Sequence, residues 1–126
     1  MLKNIETKTA PAAIGPYSQA ILTKDFLFIS GQIPLVPETG DMVSGSIEEQ
    51  TKQVMLNLEA ILRAAGLNLN NLVKTTIYLK DMNDFAVVNK IYAEYLGSHK
   101  PARATIAVSA LPKGALVEID GIAVIS

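Results

Sequence analysis

The chain has 126 residues, 11 basic against 12 acidic side chains and a formal net charge of −1, which sets one domain over residues 1–126 around a single core. The balanced charge leaves no basic stripe to follow a phosphate backbone, and the longest basic cluster, Lys100 to Arg103, is short, so no nucleic-acid partner is expected. With no cysteine, disulfides, thiolate catalysis and zinc–thiolate sites are excluded.

The N-terminal Met1-Leu2-Lys3-Asn4-Ile5-Glu6 has no apolar targeting run, and no stretch approaches the ~18 apolar residues of a membrane span. A cytoplasmic protein without a membrane partner is expected. Hydrophobic residues make up 49% and charged residues 18%, an apolar balance for so small a domain that points to burial between subunits.

Residues 2–7 read as a short strand. Two prolines, Pro11 and Pro16, stiffen the loop that delivers Tyr17 into a strand over 17–22. Lys24-Asp25 reverses the chain into Phe26-Leu27-Phe28-Ile29-Ser30, apolar and aromatic as a central strand requires. Ser30-Gly31-Gln32 then ends that strand. The glycine suits a bulge or a close approach of ligand to backbone, with Ser30 as a hydrogen-bonding group. Residues 34–45 form a loop.

Ser46-Ile47-Glu48-Glu49 has the capping-box pattern, with Ser46 at the N-cap and Glu49 reaching back to it. Val54, Met55, Leu58, Ile61, Leu62 and Ala65 recur at helical spacing, and Gly66 is the stop. From Leu72 to Lys80 the pattern alternates. Val73, Thr75, Ile77 and Leu79 share one face, and Lys74, Thr76, Tyr78 and Lys80 the other. Asp81 or Asn83 caps a second helix whose stripe is Phe85, Val88, Tyr92, Tyr95 and Leu96, with Asn89 beside it and Gly97 as its end. His99 reads as an exposed loop histidine.

Pro101 marks the entry to the next strand, in which Arg103, Thr105 and Ala107 share a face. The small neighbours of Arg103 leave room around a planar fork of N–H donors matched to a carboxylate or phosphate. A strand-edge arginine pairing with water or an acid is the plainer alternative. After a turn at Leu111-Pro112-Lys113-Gly114, the last strand, 115–125, is apolar apart from Glu118 and Asp120. These lie on one face about 6.6 Å apart. Antiparallel pairing through that turn is expected to bring one of them near the Arg103 strand, either as an ion bridge or as an acid/base group beside an anion receptor. The element order fits an α+β fold, a mixed β-sheet with two helices packed on one face.

Several segments together resemble the reactive intermediate deaminase (RidA/YjgF) family. They are Ala10-Pro11-Ala12-Ala13-Ile14-Gly15-Pro16-Tyr17-Ser18-Gln19, Ser30-Gly31-Gln32-Ile33-Pro34, Lys74-Thr75-Thr76-Ile77-Tyr78-Leu79-Lys80-Asp81, Phe85 with Val88-Asn89 and Tyr92, Lys100-Pro101-Ala102-Arg103, Leu111-Pro112-Lys113 and Val117-Glu118-Ile119. The resemblance runs through essentially the whole chain. It implies a chorismate-mutase-like homotrimer with a central β-barrel, helices outside and clefts between subunits. It also implies hydrolysis of 2-imino acids, such as 2-iminobutanoate and 2-iminopropanoate, to 2-keto acids and ammonia.

By the same resemblance Arg103 holds the substrate carboxylate, Glu118 handles the water and Tyr17 closes the pocket. The substrate-binding set is then Arg103, Ser30, Gly31, Thr105, Phe85 and Asn89. Many members carry Ser-Cys where this chain has Ala104-Thr105, so contact at position 105 must come from a hydroxyl or the backbone. No metal or organic cofactor is implied. A non-catalytic trimeric protein that binds keto acids is the rival class, using the same arginine without turnover.

Overall fold

The computed structural model describes residues 2–125. Strands β1 (Lys3–Ile5), β2 (Ala20–Leu22), β3 (Phe26–Gln32), β4 (Leu72–Leu79), β5 (Ala102–Ala107) and β6 (Val117–Val124) form one sheet in the order β1-β2-β3-β6-β4-β5. All neighbouring pairs are antiparallel except β4 and β5. That parallel pair requires a crossover, which is α2 (Phe85–Leu96). In the same way α1 (Ile47–Ala64) carries the chain from β3 to β4, and β6 later enters between them. Both helices cover one face, the α+β layering expected from the order of elements.

The core lies between that face and the helices. Val54, Met55, Leu58, Ile61 and Leu62 of α1 are buried against Leu27, Ile77, Leu79, Val117 and Ile119 of the sheet and Val88 of α2. Each such side chain contributes about 1.5–3 kcal/mol by leaving water. Ser46 stands at the α1 N-cap, but its hydroxyl makes no capping bond, so the capping box is corrected. The first turn is instead closed by the Gln50 N–H donating to the Ser46 carbonyl at 3.1 Å. Glu48 and Glu49 there face the positive end of the helix dipole. At the other end Gly66 takes φ 79°, and the Leu67 N–H reaches back to the Leu62 carbonyl at 2.8 Å.

The alternation of β4 holds for Thr75, Ile77 and Leu79, all fully buried, but fails at its start. Leu72 pairs with Ala123 and Lys74 with Ile122, so Val73 is an extra residue in a bulge. The bulge reverses the facing. Leu72 is buried, and Val73 is 41% exposed. His99 is corrected as well. It is half-buried, and its Nε2 lies 2.7 Å from the Leu72 carbonyl, tying the loop before β5 to the bulged end of β4.

Asp81 caps a short 3₁₀ turn, Met82–Asp84, by accepting from the Asn83 N–H at 2.9 Å. Neither Asp81 nor Asn83 caps α2, whose N-cap is Asp84. The strand expected over 17–22 begins only at Ala20. β6 pairs with β3 and β4 and never with β5, so the expected pairing of the last two strands does not form. No helix among the described residues is long and apolar enough to cross a membrane. The face of the sheet away from the helices exposes Phe26, Phe28 and Ile106.

Candidate functional site

Two clefts carry the residues singled out in the sequence. The first is built on β3 and β6. The ladder between them shifts register between Ile29 and Gln32, so Ser30 and Gly31 bow out of regular pairing beside Glu118. A Cβ on Gly31 would overlap Glu118 Oε2 and come within 2.8 Å of its Cδ. The glycine is therefore required by the carboxylate lying across it.

Tyr17, Ser30, Gly31 and Glu118 line one cleft of about 580 Å³, with Pro112 and Lys113 on the same wall. Tyr17 is 54% exposed, and its hydroxyl accepts from the Ile14 N–H at 3.5 Å. The Ser30 hydroxyl donates to the Ser18 carbonyl at 2.6 Å, so its proton holds the Tyr17 segment and its lone pairs remain for a ligand. Gln19, which sequence reasoning missed, is buried. Its side chain accepts from the Thr7 N–H at 2.7 Å and donates to the Pro11 carbonyl at 2.7 Å, fixing the loop that presents Tyr17. Lys113, also missed as a wall residue, is the one non-glycine with positive φ (57°) among the described residues.

Burial raises the Glu118 pKa above its ordinary value, and the Asp120 carboxylate adds to the effect. The two acids are not equivalent. Asp120 accepts a hydrogen bond from the Tyr78 hydroxyl at 2.8 Å. Glu118 has no such partner among the described residues, which leaves its oxygens for water or a ligand. No three His, Asp or Glu side chains among the described residues converge as metal ligands.

The second cleft surrounds Arg103, and one stripe of α2 makes it. Phe85, Asn89 and Tyr92 follow one another at one-turn spacing. The guanidinium donates to Asn89 Oδ1 at 2.6 Å and lies 5.5 Å from the Phe85 ring centre and 5.3 Å from that of Tyr92. Its hydrogen-bonding partner is thus an amide, and its charge is left for an incoming anion. Met82, Phe85 and Thr105 join Arg103 in an open cleft of about 440 Å³. Thr105 Oγ1 is buried there without a hydrogen-bond partner. The Thr75 hydroxyl lies 2.6 Å from the Tyr92 hydroxyl, and burial raises the Tyr92 pKa. Tyr92 was expected as core, and its contact with Arg103 was missed.

The clefts lie on opposite faces of the sheet. Arg103 pairs with Thr75, a residue buried under the helices, and so points to the helix side. Glu118 pairs with Tyr78, whose register partner on β5 is Ile106, and points to the other side. Arg103 and Glu118 of one chain therefore do not meet. β5, moreover, is a sheet edge with most of its residues exposed.

Fold and clefts together define a class: an α+β subunit with an exposed arginine held by an amide and two rings on its helix side and a half-buried carboxylate without a hydrogen-bond partner among the described residues on its bare side. A family model described as Endoribonuclease L-PSP matches residues 7–125. The chain belongs to this family, the one indicated by the sequence resemblance. A RutC family protein of Pyrococcus horikoshii is 58% identical over 123 residues, covering 98% of each chain. The 2-iminobutanoate/2-iminopropanoate deaminase of Mus musculus is 53% identical over 122 residues, covering 97% of this chain and 90% of its own. Among solved structures, a protein of the conserved Rid family from Yersinia pestis superposes with a TM-score of 0.97 at 53% identity, over 99% of this chain and 100% of that one.

Proposed function

We propose that the chain is a cytoplasmic enamine/imine deaminase that hydrolyses 2-imino acids to 2-keto acids and ammonia, working as a homotrimer. In this reading each active site joins the Arg103 cleft of one copy to the Glu118 cleft of the next. The observation that carries it is the placement of a receptor arginine and an unbonded carboxylate on opposite faces, so that only a second copy can complete the site. The name of the mouse relative supports the reaction. The exposed Phe26, Phe28 and Ile106 support burial of the bare face.

The substrate carboxylate rests on Arg103 through charge-assisted hydrogen bonds of about 1.5–3 kcal/mol net. The unpaired Thr105 hydroxyl, Phe85 and Asn89 complete that end. At the other end Glu118 orients a water and takes its proton as the oxygen adds to the imine carbon. With the imine nitrogen entering protonated from solvent, the adduct carries a neutral amine, and the protonated Glu118 then returns its proton to that nitrogen. The C–N bond breaks, ammonia leaves, and the adduct's hydroxyl gives up its proton to solvent as the carbonyl of the keto acid forms. A carboxyl with a raised pKa suits both directions of this transfer. Tyr17 covers the cleft, and Gly31 and Ser30 form its floor.

The test supplies 2-iminobutanoate in situ from threonine with a dehydratase and follows its decay with the purified chain. Glu118→Gln lowers kcat by about 10²–10⁴-fold, while Asp120→Asn keeps most of it. Normal turnover in Glu118→Gln, with 2-keto acid still bound, refutes the hydrolytic role and leaves a binding protein.

A further inference from the structure

We propose that Tyr92 and Thr75 are positioning residues for the reaction, setting the Arg103 guanidinium in the orientation that receives the substrate carboxylate. This inference rests on the reading of Arg103 as that receptor. A free arginine side chain samples many rotamers, and holding it in one orientation costs entropy. Nothing on its own strand restrains this one, since Ala102 and Ala104 flank it on an exposed edge. The restraint comes from α2, where Asn89 takes one N–H and the rings of Phe85 and Tyr92 flank the cation.

Of the two rings, Tyr92 is the one anchored at its far end. Its hydroxyl meets Thr75 Oγ1 at 2.6 Å in the buried interior. Thr75 is also the β4 residue in register with Arg103. The path from Arg103 to the Tyr92 ring, through the hydroxyl to Thr75 and back across the ladder to Arg103 is closed. Tilting the ring breaks a buried hydrogen bond.

The residue choice argues the same way. A Phe–Val pair fills similar space without burying two hydroxyls, and such apolar replacements are nearly neutral or stabilising. The polar pair adds direction to the packing.

The experiment compares wild type with Thr75→Val, Thr75→Ser, Tyr92→Phe, Tyr92→Leu and Arg103→Ala in three measurements: 2-oxobutanoate affinity by calorimetry, KM and kcat on 2-iminobutanoate, and melting temperature. Thr75→Val and Tyr92→Phe weaken keto acid binding and raise KM by about three- to tenfold, with a smaller change in kcat. Tyr92→Leu, which also loses the ring, weakens binding by about ten- to thirtyfold. Thr75→Ser restores most of the affinity because it keeps the hydroxyl. If Tyr92→Leu does not fold, the near-isosteric Thr75→Val decides. Wild-type affinity and KM in Thr75→Val and Tyr92→Phe, with only the melting temperature lowered, overturn the positioning role while Arg103→Ala still abolishes binding. If Arg103→Ala binds the keto acid as wild type does, the receptor reading itself falls, and the positioning role with it.

Discussion

Replacing Gly31 by alanine tests the floor of the Glu118 cleft with a single methyl group. The backbone there is not in the left-handed region, so the change acts through space alone. The new Cβ sits 2.8 Å from Glu118 Cδ and 3.1 Å from Cγ, against about 3.4 Å for an ordinary contact. The Cδ must therefore retreat by at least about 0.6 Å, and the carboxylate oxygen nearest the methyl by more. A misplacement near 1 Å of a reacting group costs about 10²-fold in rate. The expected result is a fall in kcat of about 10–100-fold with KM moved little, because Arg103 lies on the other face of the sheet. The off-rotamer side chain costs about 0.5–1.5 kcal/mol of stability, which a thermal melt detects without unfolding the protein. The double variant with Glu118→Gln separates mechanism from damage. If Gly31 acts through Glu118, adding Gly31→Ala to Glu118→Gln lowers kcat no further. A folded Gly31→Ala enzyme with kcat within about twofold of wild type refutes the close fit of carboxylate over glycine as a catalytic requirement.

Protonation of Glu118 sets an acid limb in the kcat profile that lies above the ordinary glutamate range and moves down in Asp120→Asn, since burial and Asp120 both raise its pKa. Because folding raises that pKa, the wild type loses this share of its stability as pH rises from the unfolded value through the raised one. Glu118→Gln does not, so its melting temperature climbs relative to wild type across the same interval. Arg103→Lys keeps the charge and loses the fork, and kcat/KM measured on 2-iminobutanoate falls at least about thirtyfold; near-normal turnover shows that a point charge suffices. Phe28→Asp places a charge on the exposed bare face; sedimentation equilibrium at micromolar concentration is expected to find the proposed trimer for wild type and monomers for the variant, with turnover lost in parallel.

Helix placement was readable because Val54 to Ala65 and Phe85 to Leu96 keep helical spacing and end on glycines. The strand cores were readable from alternation. What alternation cannot reveal is a bulge. At Val73 an extra residue reverses the facing, and at Ser30-Gly31 a register shift places a backbone against a carboxylate. Adjacency in sequence also misled for the last two strands, because β6 finds its partners in β3 and β4 and leaves β5 as an edge.

The same limit applied to the clefts. Arg103 and Glu118 stood out as charges on apolar strands, but their opposite facing depends on sheet order. Tyr92 and Thr75 looked like ordinary core because each sits on a buried stripe, and only the closed packing around Arg103 gives their hydroxyls a purpose. The spacing of Phe85, Asn89 and Tyr92 was the available signal, two aromatics and an amide on one helical stripe facing a strand with a lone arginine. His99 misled in the other direction, since nothing local in the sequence marks the Leu72 carbonyl as its partner.

Whether one active site draws on two chains is tested most directly by complementation. Arg103→Ala and Glu118→Gln are purified separately, each nearly inactive, then unfolded together in equal amounts and refolded. In a cyclic trimer each cleft pairs the Arg103 side of one copy with the Glu118 side of the next, so about one quarter of the clefts regain both intact residues. The mixture should therefore recover about one quarter of wild-type turnover, and the double variant Arg103→Ala/Glu118→Gln refolded with wild type should not exceed the activity of its wild-type fraction. Turnover in the mixture no greater than that of the two parents would contradict the shared site and, with it, the proposed origin of the activity.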